Sequence, residues 1–436
     1  MTKDFRLILG LEIHLHVKTA KKMFCNCSAD IYSAEPNTHV CPTCLGLPGA
    51  LPVPNKHAVE LTQLLGIALG CTLNLDSRFD RKHYFYHDLP KGYQLSQYDQ
   101  PLCVGGSLKL RNGKTIELER IHLEEDTAKS FHSKDDTLID FNKSGMPLIE
   151  VVTKPVITSA EDAAEFGRML RDLARFLNIS DADMEKGQMR VEPNISVRTV
   201  EMERANELPE YKVEVKNINS FKYMEKAIRY EVKRQTEILI GGKMPAQENR
   251  GYDEKADATL PQRSKEDAHD YRYFPDPDIP PMRFDQAYFD GLKSSMPELP
   301  GAAYLRLTSV LGLSAVAAEM LTSGPGLGLL QKFNDLSQVA DPVKVANLLL
   351  NKPGYRDLEK DEFLQKMQSD ESTIDDADII LATVKNVIAQ NNKAVEDYRS
   401  GKDSAIQYLV GQVMRETKGK ANPGLSEELI LKELMS

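Results

Sequence analysis

Across residues 190–198 apolar and polar side chains alternate with a period of two. Val191, Ile195 and Val197 fall on one face of a strand, and Arg190, Glu192, Asn194, Ser196 and Arg198 on the other. Five polar groups of four kinds in file resemble aimed donors and acceptors, although alternation by itself also fits a solvated face. Residues 7–17 repeat the pattern, opposing Leu7, Leu9, Leu11, Ile13, Leu15 and Val17 to Gly10, Glu12, His14 and His16. Asn112-Gly113 sits between two short alternating runs and predicts a hairpin, whose second strand runs into His122-Leu123-Glu124-Glu125-Asp126. Strands are expected at 138–142 and 148–152, carrying Asp140 and Glu150. Ser159, with Asp162 three residues on, opens a helix buried through Phe166, Met169, Leu170, Leu173, Phe176 and Leu177. Residues 211–216 alternate again, with Lys212, Glu214 and Lys216 on the polar face. The loop 217–221 introduces a second helix, packed through Tyr223, Ala227 and Tyr230. The prolines, acids and aromatics of 270–278 cannot continue a helix and predict an ordered loop or an edge strand. After Pro281 strand signals cease and 315–321, 342–350 and 377–389 read as helices, which puts a domain boundary near 290 and a further break after Gln368.

Composition bounds this picture. A chain of 436 residues, 41% hydrophobic, can bury a substantial core and divides into two or three domains. Its net charge of −10 leaves nucleic-acid contact to local basic patches. No apolar run approaches a membrane span and the first residues carry no hydrophobic signal, so a cytoplasmic location is expected, with no membrane partner. Four of the six cysteines form two close pairs, Cys25-Asn26-Cys27 and Cys41-Pro42-Thr43-Cys44, separated by thirteen residues. In a reducing compartment such pairs read as tetrahedral zinc ligands, and a closed structural ribbon explains them without any open coordination position.

The remaining chemistry rests on strands, because the phosphate-loop, dinucleotide and nucleophile-elbow motifs are all missing from the sequence. Glu12, Glu124, Glu125 and Glu150 bring at least four carboxylates onto strands, and oxygen ligands of that kind suit Mg²⁺ with a nucleotide better than zinc. A carboxylate inside the apolar run around Glu150 is costly unless paired or metal-bound. Residues 79–101 interleave aromatic and basic side chains, which can stack on bases or simply pack on the core. Near the end of the chain a helix leads to Lys418-Gly419-Lys420, whose two lysines can touch a phosphate backbone.

Gly10-Leu11-Glu12-Ile13-His14, the two cysteine pairs, FDRKHYFYHDLPKGYQLSQYDQP from Phe79, HLEEDTAKS from His122, the 184–198 stretch, the 216–221 loop, DYRYFPDPD from Asp270 and the closing GQVMRETKGKANP together resemble the GatB family of glutamyl/aspartyl-tRNA amidotransferase subunits. The resemblance implies an α+β chain. A large antiparallel-sheet cradle similar to the glutamine synthetase catalytic fold would span 1–290, with the ribbon inserted at 25–44. A helical domain over 291–368 and a tRNA-binding helical tail over 369–436 would follow. It further implies ATP- and Mg²⁺-dependent amidation of misacylated Glu-tRNA(Gln) or Asp-tRNA(Asn). Ammonia would come from a separate glutaminase, the amidase of the assembly, and a small third subunit would wrap the other two. Glu12, His14, Glu125 and Glu150 become metal candidates, with Glu124 beside them. Arg190, Glu192, Asn194, Ser196 and Arg198 become the floor of the site and Lys216 lies near it. Lys82, Lys91 and Ser130 resemble positions on the family's ammonia path. The cysteine set matches its zinc-bearing branch. The helical region after Pro281 is shorter than the family's. The competing expectation is a non-catalytic tRNA-binding scaffold that docks an amidase.

Overall fold

The computed structural model describes residues 4–133, 135–264, 271–371, 377–400, 402, 404–417 and 419–435. Asp270, which opens the aromatic stretch, and Lys418 of the terminal pair lie outside the described residues. The chain forms two compact units, 1–303 and 304–436.

In chain order the strands of the first unit are β1 Phe5–His16, β2 Thr72–Leu73, β3 Asp76–Ser77, β4 Asp80–His83, β5 Tyr93–Ser96, β6 Cys103–Val104, β7 Ser107–Lys109 and β8 Thr115–Glu125. They continue as β9 Lys129–His132, β10 Thr137–Asp140, β11 Pro147–Thr153, β12 Met189–Thr199, β13 Val213–Lys216, β14 Glu248–Asp253, β15 Ala258–Ser264, β16 Phe274–Pro275 and β17 Met282–Arg283. Ten of them make one sheet in the order β15-β14-β13-β12-β1-β11-β8-β6-β2, with β7 paired to β8. The sheet is antiparallel except at β13 and β14, which run parallel. That departure from an all-antiparallel cradle has a plain cause. Helix Phe221–Ile240 lies between these two strands in sequence, and a crossover of that length is what a parallel pair requires. The stretch around Phe274 is an edge strand, pairing with β4.

Period two decides the two faces of the sheet. Leu9, Leu11, Ile13 and Leu15 of β1 and Val191 and Ile195 of β12 share one core with Phe166, Leu170 and Leu173 of helix Ala160–Phe176 and with Met224 and Ile228 of Phe221–Ile240. Ser159 caps the first of these helices by accepting from the Asp162 amide, and Gly167 lets the second approach so closely that an added Cβ would meet the Phe221 ring at 2.5 Å. The second helix differs from expectation. Its buried stripe runs through Phe221, Met224, Ala227, Ile228, Glu231 and Gln235, whereas Tyr223 is only partly covered and Tyr230 lies off the stripe. Glu231, fully buried, is held by Arg250 at 3.1 Å and Arg234 at 2.9 Å, and Gln235 accepts from the Tyr211 hydroxyl at 3.1 Å.

The second unit is built from helices, including Ala315–Leu321, Leu327–Ser337, Pro342–Asn351, Ala377–Gln390, Ser404–Glu416 and Pro423–Met435. The last three pack through Ile380, Val384, Leu409, Val413 and Ile430. Among the described residues no helix is long and apolar enough to cross a membrane.

Candidate functional site

The face of the sheet opposite the helices is polar, and strand register sets its rows. His122 of β8 pairs with Glu150 of β11, Glu150 with His14 of β1, and His14 with Arg190 of β12. One row therefore crosses four strands with an imidazole, a carboxylate, an imidazole and a guanidinium. His14 Nε2 lies 3.5 Å from Glu150, 3.6 Å from Glu124 and 3.8 Å from Glu12, while His122 Nε2 lies 3.2 Å from Glu150. The ligand atoms of Glu12, His14 and Glu150 fall within 4.8 Å of one another, as do those of His122, Glu124 and Glu150.

Burial makes this cluster electrostatically tense. Desolvation and the facing Glu150 push the Glu12 carboxyl up to about 7, and the same two causes raise Glu124. Burial disfavours the His14 imidazolium, but its hydrogen bond to Glu150 and the charges of Glu150 and Glu124 outweigh this and lift it to about 9. Glu150 is desolvated too, yet His122 and His14 hold it well below the carboxylate range. Nδ1 of both histidines is buried without a hydrogen-bond partner. Three carboxylates gathered around His14 Nε2 form an oxygen-rich donor set that a hard divalent cation fits.

Beside this cluster Asp126 gathers three basic groups: His16 at 2.6 Å, Lys143 at 2.8 Å and Arg190 at 3.0 Å. Although Asp126 is desolvated, the charges of Arg190 and Lys143 and the His16 bond keep its carboxyl well below the usual range. Burial lowers both His16 and Lys143, yet Lys143 and Arg190 still set two basic side chains against one carboxylate, an arrangement suited to an anion. On the other flank Lys216 lies 2.6 Å from both Glu192 and Glu214. Burial opposes the Glu192 charge, but Lys216 draws its pKa down to about 2. Asn194, in register with Glu214, has its side-chain oxygen buried and without a partner.

Several expected residues fall elsewhere. Glu125 does not join the carboxylates: alternation along β8 turns it to the opposite side from Glu124, where it pairs with Lys91 and accepts from the Leu95 amide at 3.0 Å. Adjacent residues cannot share a face, and the register selects Glu124. Ser196 donates to the Tyr211 carbonyl at 2.7 Å and Arg198 pairs with Glu203 at 3.2 Å, so both are engaged at the far end of β12. Of the three polar positions compared with an ammonia path, Lys82 is partly buried 5.0 Å from the Tyr271 ring, with Glu124 holding it charged against desolvation. Lys91 is spent on Glu125, and Ser130 bonds His87 at 2.9 Å on the surface. In the second unit Lys420 donates to the Ser369 carbonyl at 2.8 Å. His122, His16, Asp126 and Lys143 belong to the site although their individual roles were not drawn from the sequence. The parity of His122 with Glu124 was the available signal, and nothing local marks Lys143.

The four paired cysteines meet as expected. Their sulfurs lie within 4.8 Å of one another, and all four are free thiols. Cys44 is buried, receives the Cys41 amide at 3.1 Å and has the buried Lys22 ammonium 3.8 Å away. Four converging sulfurs with a neighbouring cation fit a closed tetrahedral zinc site, whose thiolates carry net negative charge.

Residues 7–290 match the family model described as the GatB/GatE catalytic domain, and residues 361–434 match that of the GatB domain. Proteins named as the B subunit of an aspartyl/glutamyl-tRNA(Asn/Gln) amidotransferase are similar along their whole length. The one from Roseiflexus sp. (strain RS-1) is 40% identical over 99% of this chain and 98% of its own length. That from Thermus thermophilus is 41% identical over 99% of each chain.

Proposed function

The chain belongs to the GatB family of aspartyl/glutamyl-tRNA amidotransferase subunits, and from that premise and the geometry of its polar sheet face we propose how it amidates an aminoacyl-tRNA. The reaction is an ATP-dependent ligation. The side-chain carboxylate of glutamate or aspartate, esterified to tRNA(Gln) or tRNA(Asn), receives the γ-phosphoryl group of ATP, and ADP leaves. Ammonia then attacks the activated carbonyl, phosphate leaves, and a proton is lost to give the amide. A carboxylate is a poor electrophile until its oxygen departs as phosphate, which is why the site needs phosphoryl chemistry.

The observation that carries this reading is the row His122, Glu150, His14 and Arg190, with Asp126 and Lys143 at its end. Glu12, Glu124 and Glu150 would hold Mg²⁺, with His14 giving up its proton to join them, and the ion when bound neutralises charge on the transferring phosphoryl group. Arg190 and Lys143 present the two basic side chains that anchor an anionic phosphoryl or carboxylate group. Glu192, Asn194 and Lys216 line the neighbouring part of the floor and orient the amino acid or ammonia. Lys82, beside Glu124, stands where ammonia would enter. Cys25, Cys27, Cys41 and Cys44 would hold a structural Zn²⁺.

The same reading extends to the rest of the chain. The cradle is similar to the glutamine synthetase catalytic fold. The helices divide into a domain over 291–368 and a tail over 369–436 that grips tRNA, with Lys418 and Lys420 near its phosphates; the match over 361–434 supports the tail. The alignment with the Roseiflexus relative spans 483 positions against 436 residues here, in keeping with a shortened helical domain. A glutaminase (amidase) subunit supplies ammonia, a small third subunit wraps the other two to make a heterotrimer, and the assembly works in the cytoplasm.

Reconstitution with the amidase and the small third subunit, each misacylated tRNA, ATP and glutamine tests the reading. Amide formation that requires ATP, and that falls by about 100-fold or more in Glu150→Gln with the fold retained, is the expected result. Tightly held tRNA with no ATP dependence would instead identify a scaffold.

A further inference from the structure

The cysteine ribbon is not an isolated staple. Residues 35–39 of the loop between the two cysteine pairs are hydrogen-bonded to the segment 139–146, which begins in the last residues of β10 and carries Lys143. Asn37 donates its amide to Asp140 at 3.0 Å and its side-chain NH₂ to the Ile139 carbonyl at 3.1 Å, and accepts from the Phe141 amide at 2.8 Å. Asn142, 1% exposed, accepts from the His39 amide at 2.7 Å and donates to the Glu35 carbonyl at 2.8 Å. Ser144 donates to the Cys44 carbonyl at 3.2 Å, and the Met23 amide donates to Gly145 at 2.8 Å. Gly145 has φ +83° and would bring a Cβ to 3.4 Å from Cys44, so the turn lies directly on the last cysteine. This segment presents the Lys143 ammonium, 2.8 Å from Asp126. From the same loop Tyr32 reaches His16 Nδ1 at 3.0 Å, and His16 Nε2 meets Asp126 at 2.6 Å.

Two separate paths thus run from the ribbon to one buried carboxylate. An ammonium on a four-carbon stem is flexible, and holding it at one place requires its backbone to be fixed from outside. Pairing with β9 holds Ile139 and Asp140, and the Gly145 amide and Met146 carbonyl bond the Asp126 backbone, but Phe141 and Asn142, which lead into Lys143, reach across to Asn37, His39 and Glu35.

We propose that the cysteine ribbon is the positioning element for the basic end of the site, with Asn37 and Asn142 as positioning residues that hold Lys143 on Asp126. Metal occupancy of the ribbon and competence of the site are then coupled through the 139–146 turn. The coupling to catalysis rests on the amidation reading above, whereas the coupling of metal to the turn does not.

Hydrogen exchange and a double-mutant cycle on the full-length chain test this together. In the zinc-loaded protein the amide of Phe141, bonded to the Asn37 side chain, and that of Asn142, bonded to the Asp140 carboxylate that also takes the Asn37 amide, are expected to be protected. Chelation of the zinc is expected to speed their exchange roughly ten-fold or more while β1 and β12 stay protected. Asn142→Ala, with zinc content unchanged by a colorimetric release assay, is expected to do the same. In the reconstituted assembly Asn142→Ala and Lys143→Ala are each expected to lower kcat/KM about ten-fold, and the double variant is expected to fall little below Lys143→Ala. Should chelation deprotect the whole sheet, Asn142→Ala alone decides the exchange arm. Unchanged exchange at Phe141 and Asn142, multiplicative losses in the double variant, or a chain that takes up no zinc overturns the proposal. Absence of amidation in the wild-type assembly would remove the functional reading and leave the exchange arm to judge the coupling.

Discussion

Glu124 and Glu125 are neighbours with the same side chain, and the fold gives them opposite work. Glu124 faces His14 and His122 across the polar face, while Glu125 neutralises Lys91 beneath it. Substitutions should therefore separate. Glu124→Gln is expected to abolish most amidation with little change in melting temperature, since removing it relieves crowding among buried carboxylates. Glu125→Gln leaves a nearly buried ammonium without its counter-charge and is expected to cost about 3–5 kcal/mol of stability. Thermal melts and activity on both variants check this, and equal melting temperatures would contradict the assignment. The sequence displayed both glutamates at the end of a strand, but only the partner strand's register says which parity points into the site. Ser196 and Arg198 teach the same lesson. Their parity was read correctly from residues 190–198, yet Tyr211 and Glu203 occupy them, and those partners arrive from elements that a single strand cannot foresee.

At the level of elements, the start of helix Ala160–Phe176 joins the hairpin tip. Asp162 accepts from the Asn112 side chain at 2.7 Å and from Lys114 at 2.6 Å, and sits at the third helical position below the Ser159 cap. Burial works against its charge, but these hydrogen bonds hold its pKa below the ordinary value. A carboxyl whose folded pKa is depressed contributes stability that is complete above the unfolded value, about 3.9, and is lost as pH falls through the lower folded value. Asp162→Asn is accordingly expected to cost about 1 kcal/mol near pH 7, with the gap to wild type closing as the pH drops below about 4. Denaturant melts across that range measure it, and a gap that widens on acidification would refute the cause given. Where the same helix crosses Phe221–Ile240, Gly167→Ala should cost about 1–3 kcal/mol, because the added methyl meets the Phe221 ring. Phe221→Leu in the same chain is expected to recover part of that loss. The helices were legible from their caps and apolar spacing. Glu231 and Gln235 were not expected in the buried stripe, since a polar residue at a core position becomes acceptable only when Arg250, Arg234 and Tyr211 come from elsewhere in the chain.

For the whole molecule, the zinc proposed for the ribbon offers the clearest handle. Chelation, or Cys44→Ser, is expected to release about one zinc per chain and lower the melting temperature of the first unit by several degrees, as removal of ligand-linked stabilisation demands. A melt indifferent to chelator would place no metal there. The sequence by itself determined the strands and their two faces, the helical character of the later chain, and the convergence of Cys25, Cys27, Cys41 and Cys44, because periodicity, capping and ligand spacing act over a few residues. Only the tertiary structure decided which strands lie side by side. Register across β8, β11, β1 and β12 aligns His122, Glu150, His14 and Arg190, and the fold brings Lys143 from a separate turn onto Asp126. Those residues are far apart along the chain, and the hydrogen bonds that unite them exist only once the sheet has closed its pairings.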